Sequence, residues 1–561
     1  MKYSTNLFLT LLFLVNYALT QVSVPYRNVM YYGEWSIYAG QHNFYPSKMV
    51  PKYITHLNFA FLDMDKNGDL VLCDEYADFQ TTSLPELDGM SYAAPYAGVL
   101  GALAILKIKN PHLKVGISVG GWTRSGDFPG VAASETKRRN FAKNMAKFIN
   151  YIGYDLVDID WEYPTAKRDP SGGDEGCPGT DADTENFTYL LQALREELDA
   201  LGKQNNKHYE LTIATSADPG MMSKIQFDKV LKYIDFANVM TYDMNGGYNS
   251  YTAHHTNLYT NPNYDSSRMW GAVYSVDYAL KYLKNTYGNN INYSQILVGV
   301  APYTYGWAGV KNDGLDPNNP GLYASASPNS ISDSYGFHQI AEMKEKYGLT
   351  EYFDETAQAA YYYNPSGGYF FTIDNERSVA AKGNYVKQNG LGGLFAWMAS
   401  LDGENVITKA MFNSLYGEGY VIPDDDLIFT NVKSTATISA NDNGYDITIK
   451  NLESIEESNT ALKDAELLKK SILFMKLYIK SKSGAKFSAG SMSGTVTNKD
   501  GYGVVDPSSN YDAKNIAPGG SYSFSVRVDR TPDVSDIESI TMTQRILPTL
   551  GEIKKQVVYP N

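Results

Sequence analysis

Asp155, Asp158, Asp160 and Glu162 lie within one short stretch, interleaved with Val157, Ile159 and Trp161. On a β-strand successive side chains alternate between faces, so Asp158, Asp160 and Glu162 share one face and the three apolar residues share the other. Three carboxyls at two-residue spacing on one desolvated face cannot all ionise, because each charge raises the cost of the next. At least one therefore keeps a proton at neutral pH, which is what a general acid needs. Glu162 lies nearest the C-terminal end of the strand and takes that role, with Asp160 and Asp158 tuning it. A divalent-metal site and a solvated acidic edge are the competing readings. The apolar residues on the opposite parity count against a solvated edge, and no His ligands accompany the motif.

Such a strand needs a closed frame to bury it. Eight short apolar runs, at 29–32, 54–61, 114–119, 155–161, 211–215, 236–242, 296–300 and 392–397, recur with helical stretches between them. Alternating strand and helix units with near-continuous apolar strands predict a parallel sheet covered by helices, and eight units close a (β/α)8 barrel. Function in that fold sits at the C-terminal ends of the strands. A doubly wound sheet is the alternative, but the Gly-rich phosphate turn that marks a dinucleotide crevice is missing after the first strand. The long connection between the last two strands, 308–386, predicts an inserted α+β subdomain, with a helix around 340–347 and a hairpin pairing 361–363 with 369–373. After Tyr420 the pattern changes to period-two alternation, as in 445–450 and 522–528, so 425–561 reads as an all-β sandwich with one helix-like stretch at 460–470.

Length and charge narrow the partners. With 561 residues several domains are expected, and 48 Lys and Arg against 62 Asp and Glu leave a net charge of −14. That balance lacks the basic footprint needed for nucleic acid or an anionic membrane. Residues 1–20 have the build of a secretory signal peptide, with Lys2 ahead of an apolar run and small residues at the end, so the mature chain is expected outside the cell. Asn186 and Asn292 head glycosylation tripeptides consistent with that route. Cys73 and Cys177 are the only cysteines, and in an oxidising compartment one bridge between them is the favoured expectation, with two separate buried thiols as the alternative.

The motif Asp155, Asp158, Asp160, Glu162 matches in full the signature of the family 18 glycoside hydrolases, whose members include chitinases, and the resemblance covers most of residues 27–405. Ser118 to Trp122 resembles the family's third-strand motif, Met240 to Asp243 its sixth-strand motif, and Leu391 to Trp397 its eighth strand. The resemblance implies a retaining hydrolase of β-1,4-linked N-acetylglucosamine in which the substrate's acetamido group is the nucleophile. Glu162 would then protonate the glycosidic oxygen, Asp160 would bind the acetamido N–H, Asp158 would share a proton with Asp160, and Tyr242 would position the acetamido group. Substrate contacts are expected from Asp243, Met240, Trp397, Trp122, Tyr163, Tyr303 and Tyr31. No cofactor is implied, the partner is chitin or its oligosaccharides, and a monomer is expected. For Trp161, on the outward parity, core packing is the better reading. Tyr305 departs from the family, standing where an Arg is usual. The sandwich is vaguely similar to sugar-binding modules, with a structural role nearly as good a reading. An endo-β-N-acetylglucosaminidase acting on N-glycans and a lectin on the same scaffold remain as alternative functions.

Overall fold

A computed structural model describes residues 24–87, 98–425, 427, 431–491, 494–507, 515–544 and 554–560. The expected leader at 1–20 falls outside them. Eight parallel strands form a ring: Arg27–Gly33, His56–Met64, Lys114–Gly120, Leu156–Asp160, Glu210–Ser216, Phe236–Met240, Ile296–Val300 and Gly393–Ala396. The first strand pairs with both the second and the eighth, with Val29 opposite His56 and Arg27 opposite Gly393, which closes the barrel. Closing the ring removes the open sheet edges that would leave rows of backbone N–H and C=O groups unpaired.

Burial divides by parity, as the alternation requires. Val157, Ile159 and Trp161 enter the large apolar cluster between strands and helices, where Trp161 stacks on Phe128 with ring centres 5.3 Å apart. The helix Glu135–Ile152 contributes Phe141, Met145, Phe148, Ile149 and Ile152 to that cluster from one face, and Gly153 ends it in the left-handed conformation. Inside the ring a second cluster gathers Val29, Tyr31, Phe61, Phe236, Tyr242, Leu297, Tyr303, Phe395 and Met398.

Between the seventh and eighth strands an antiparallel sheet runs in the order Tyr305–Trp307, Tyr369–Ile373, Ala359–Asn364, Thr350–Asp354, accompanied by the helix Ile340–Tyr347. Its first strand begins just before residue 308, and the helix Glu376–Asn389 that follows packs Val379, Tyr385 and Val386 into the barrel's outer core. Among its described residues the C-terminal region forms a four-stranded and a five-stranded antiparallel sheet over one apolar core, with a two-stranded ribbon of Ile472–Leu473 and Asn515–Ile516 beside them. Tyr445, Ile447, Phe524 and Val526 face Leu477, Ile479, Ile540 and Met542 across it. The helix-like stretch is a helix, Thr460–Lys470, and its apolar face does not join that sandwich. Ala461, Leu462, Ala465 and Leu468 pack into the barrel's outer core instead.

The favoured disulfide is not formed: Cys73 and Cys177 are both free thiols. Cys177 is buried under the Trp161 indole, whose N–H points at its sulfur over 3.5 Å. Cys73 belongs to the interior cluster beside Phe61 and Trp35. Each thiol has its own packing environment, and burial pushes both upward, which keeps them protonated.

Candidate active site

Asp158 is fully buried at the centre of the ring, where three hydroxyls from three other strands donate to it. Tyr31 and Ser118 each donate over 2.8 Å, and Thr212 over 2.5 Å. Asn238 of the sixth strand donates in turn to the Tyr31 hydroxyl at 3.0 Å. Burial raises the Asp158 carboxyl and the three donors pull it back. A carboxylate surrounded by O–H donors is arranged as a hydrogen-bond acceptor, and among the described residues no group of three or more His, Cys, Asp or Glu is arranged to hold a metal ion.

One step further up the strand, Asp160 is also buried, and its Oδ1 has no hydrogen-bond partner. Burial first, then Glu162 and Asp158, push this carboxyl well above its usual range, which favours its neutral form. Glu162, partly buried beyond the strand end, is pushed up to about 7 by burial and by Asp243. The Tyr163 hydroxyl, the Arg168 charge and the Trp122 backbone N–H act against that rise. The Glu162 backbone is fixed by its N–H, which donates to Ser125 Oγ at 2.9 Å. Asp158, Asp160 and Glu162 thus climb the inner wall in sequence, each less enclosed than the last.

Tyr242 follows the sixth strand, two strands round the ring from these acids. Burial, then Asp243 and the three carboxyls of the fourth strand, push its hydroxyl up, so it is a neutral donor. Its ring is held edge-on by Tyr303 and tilted against Phe395, with centres 6.1 and 5.8 Å away. Asp243 has a side chain about half exposed and a backbone in the left-handed region, and it accepts from the Tyr303 hydroxyl at 2.6 Å. Buried His255 backs that residue, with Nδ1 3.4 Å from the Asp243 backbone N–H. Met240 closes the sixth strand, partly buried at the rim of the interior cluster.

Trp397 lies at the bottom of the opening, with Tyr31, Trp35 and Phe61 around it at ring separations of 5.7, 6.1 and 5.6 Å, the last nearly parallel. Trp122 is half exposed, and the Arg168 guanidinium covers one of its faces at 3.9 Å. Tyr305, where the family usually has Arg, packs edge-on to His255 and near Tyr248 in the wall beside Asp243. A tyrosine neighbour thus takes the place of a cation next to that carboxylate, and burial and Asp243 hold its hydroxyl protonated.

The structure gathers Asp158, Asp160, Glu162, Tyr31, Tyr242, Asp243, Tyr303 and Trp397 at the barrel interior and its C-terminal rim, whereas Asp155, first residue of the same motif, lies apart, paired with Lys107 and Lys207. Four contributors escaped the reading of the sequence. Thr212 sits on a strand without a catalytic motif and Asn238 on the sixth strand ahead of its motif, and their inward parity was the only available signal. Phe61 ends the apolar run 54–61, which reads as plain core, and Trp35 lies outside every run and motif. The aromatic residues around Trp397 and one poised carboxyl suit a sugar ring that needs stacking below and protonation from the side.

Comparison with known proteins agrees with this geometry. The sequence model of the family described as "Glycosyl hydrolases family 18" matches residues 27–402. Chitinase A1 of Niallia circulans is 31% identical over 442 residues, 73% of this chain, and the chain spans 61% of that relative's length. Chitinase 1 of Aphanocladium album is 31% identical over 381 residues, covering 67% of this chain and 81% of that protein. Among solved structures, chitinase ChiA74 from Bacillus thuringiensis shares the fold over 92% of this chain and 100% of its own, with a TM-score of 0.63 at 22% identity.

Proposed function

The chain belongs to glycosyl hydrolase family 18, and from that membership we propose that it hydrolyses the β-1,4 linkages of chitin with retention, using the substrate's own acetamido group as nucleophile. The observation that carries this reading is the buried Asp160 Oδ1 without a partner, set directly beside a carboxyl pushed up to about 7. An orphaned buried acceptor costs free energy unless a ligand supplies its donor. The N–H of a 2-acetamido group is such a donor.

In this mechanism Glu162 gives its proton to the glycosidic oxygen as the acetamido carbonyl attacks the anomeric carbon. Asp160 holds the acetamido N–H, loses its proton towards Asp158 and offsets the positive charge of the oxazolinium intermediate. Tyr242 donates to the acetamido oxygen and keeps it in line. Water then attacks the anomeric carbon and breaks its bond to the oxazolinium oxygen while Glu162, now a carboxylate, takes the water's proton, and the proton held by Asp158 returns to Asp160, which restores the starting state. Trp397 supports the sugar from below, and Asp243 contacts its neighbour. Glu162→Gln is expected to lower kcat on soluble N-acetylglucosamine oligomers by roughly 100- to 10,000-fold while calorimetric binding persists. Undiminished turnover in that variant would refute the assignment. The leader-like residues 1–20 support release from the cell, and N-terminal sequencing of the mature protein is expected to start beyond them.

A further inference from the structure

Among the described residues, Arg168 is the cation whose charge acts on the Glu162 carboxyl, and it reaches the main chain of that residue and not its side chain. It lies on the short hairpin of Lys167–Arg168 and Cys177–Pro178, where Arg168 pairs with Cys177. Its Nη1 forms an ion pair with the Asp174 carboxylate. Its Nη2 donates to the Trp122 carbonyl and, over 3.5 Å, to the Glu162 carbonyl. The same guanidinium sits over the Trp122 ring, 3.9 Å from its centre. The hairpin is docked independently: the Glu175 N–H donates to the Thr123 carbonyl at 2.9 Å, and a Cβ on Gly126 would meet Glu175 at 2.9 Å. One planar fork therefore joins the turn after the third strand to the turn after the fourth.

We propose that Arg168 is a positioning residue for the hydrolysis reaction, fixing Trp122 as a wall with a single free stacking face and holding the main chain of the general acid. The proposal rests on the reading of Glu162 as that acid. The groups facing Glu162 are Asp160 and Asp158 on its own strand, Asp243 and Tyr242 from the sixth, Tyr163 beside it, the Trp122 backbone N–H and Arg168. Arg168 alone among them supplies positive charge, which favours the Glu162 carboxylate. Lys would keep that charge but lacks the flat fork that reaches two carbonyls, a carboxylate and a ring together.

The test compares Arg168→Gln, Arg168→Lys, Trp122→Ala and the Arg168→Gln/Trp122→Ala pair on a soluble N-acetylglucosamine oligomer, with thermal melts of each. Arg168→Gln should move the basic limb of the kcat/KM profile to higher pH, whereas Arg168→Lys should leave that limb in place. Both should raise KM several-fold. The KM effect of Arg168→Gln should vanish in the Trp122→Ala background, because the two act through one wall. An unmoved limb in a folded Arg168→Gln protein, or KM effects that multiply in the pair, would overturn the proposal. If Arg168→Gln does not fold, Arg168→Lys decides it: an unchanged KM overturns it and a raised KM with an unmoved limb supports it. Failure of the acid assignment would be seen separately, as turnover by Glu162→Gln.

Discussion

At the scale of single residues, the site is a gradient of solvation along one strand. Asp158 is satisfied by three hydroxyls, Asp160 is buried and incompletely partnered, and Glu162 reaches the opening. Removing one donor should change the whole column, because a buried carboxylate that loses a hydrogen bond holds its charge less well. Thr212→Val is nearly isosteric and deletes one donor to Asp158. A hydrogen bond to a charged group is worth about 1.5–3 kcal/mol, so kcat should fall by roughly 10- to 100-fold with the fold intact by circular dichroism. The sign of the pH dependence follows from the role of Glu162. The acid must be protonated to act, and its carboxyl is pushed up to about 7, so kcat/KM should decline as pH rises through about 7. A profile flat to well above that value would contradict the role. The carboxylate column was legible in the sequence because alternation is a local property. Its hydroxyl partners were not, since Tyr31, Ser118 and Thr212 meet Asp158 only once ring closure sets the register of four strands.

At the scale of elements, strand ends carry the geometry. Gly120 ends the third strand with φ of 107°, and a Cβ there would lie 2.4 Å from the Asp160 carbonyl and 2.6 Å from the Phe128 ring. The strand of the acids can lie this close only because that residue is glycine. Gly120→Ala should destabilise the protein by about 1–3 kcal/mol from backbone strain alone and lower activity as well, read as a reduced melting temperature together with a reduced kcat. Equal stability and activity would show that the close approach is unimportant. The eight strands were readable as apolar runs of strand length, and so was the hairpin of the inserted sheet, through its turn residues. The pairing of Tyr305–Trp307 with Tyr369–Ile373 was not readable, because it joins segments separated by a helix and two strands. The bridge expected from Cys73 and Cys177 failed for the same reason: counting cysteines says nothing about the separate packing each thiol finds.

At the scale of the whole molecule, the C-terminal region is fastened to the barrel. Leu462, Ala465 and Leu468 are buried in the barrel's outer core, Lys147 pairs with Glu457 at 2.8 Å, and the Lys469 ammonium donates to Asn150 Oδ1 at 2.8 Å. The sequence marked 460–470 as helical but gave no sign that its apolar stripe faces the other domain, since periodicity names a buried face without naming what covers it. Leu462→Ala should cost about 2 kcal/mol or more and lower the melting temperature of the barrel as followed by loss of hydrolysis on heating. Unchanged heat inactivation would mean that the barrel does not depend on this contact. The proposed reaction is one in which the substrate's acetamido group attacks its own anomeric carbon. Proton NMR of the first products from N-acetylglucosamine oligomers tests this most directly. The account predicts β-anomers at the newly formed reducing end and no cleavage of the corresponding fully de-N-acetylated oligomers. Initial α-anomers, or equal cleavage of oligomers without acetamido groups, would contradict it.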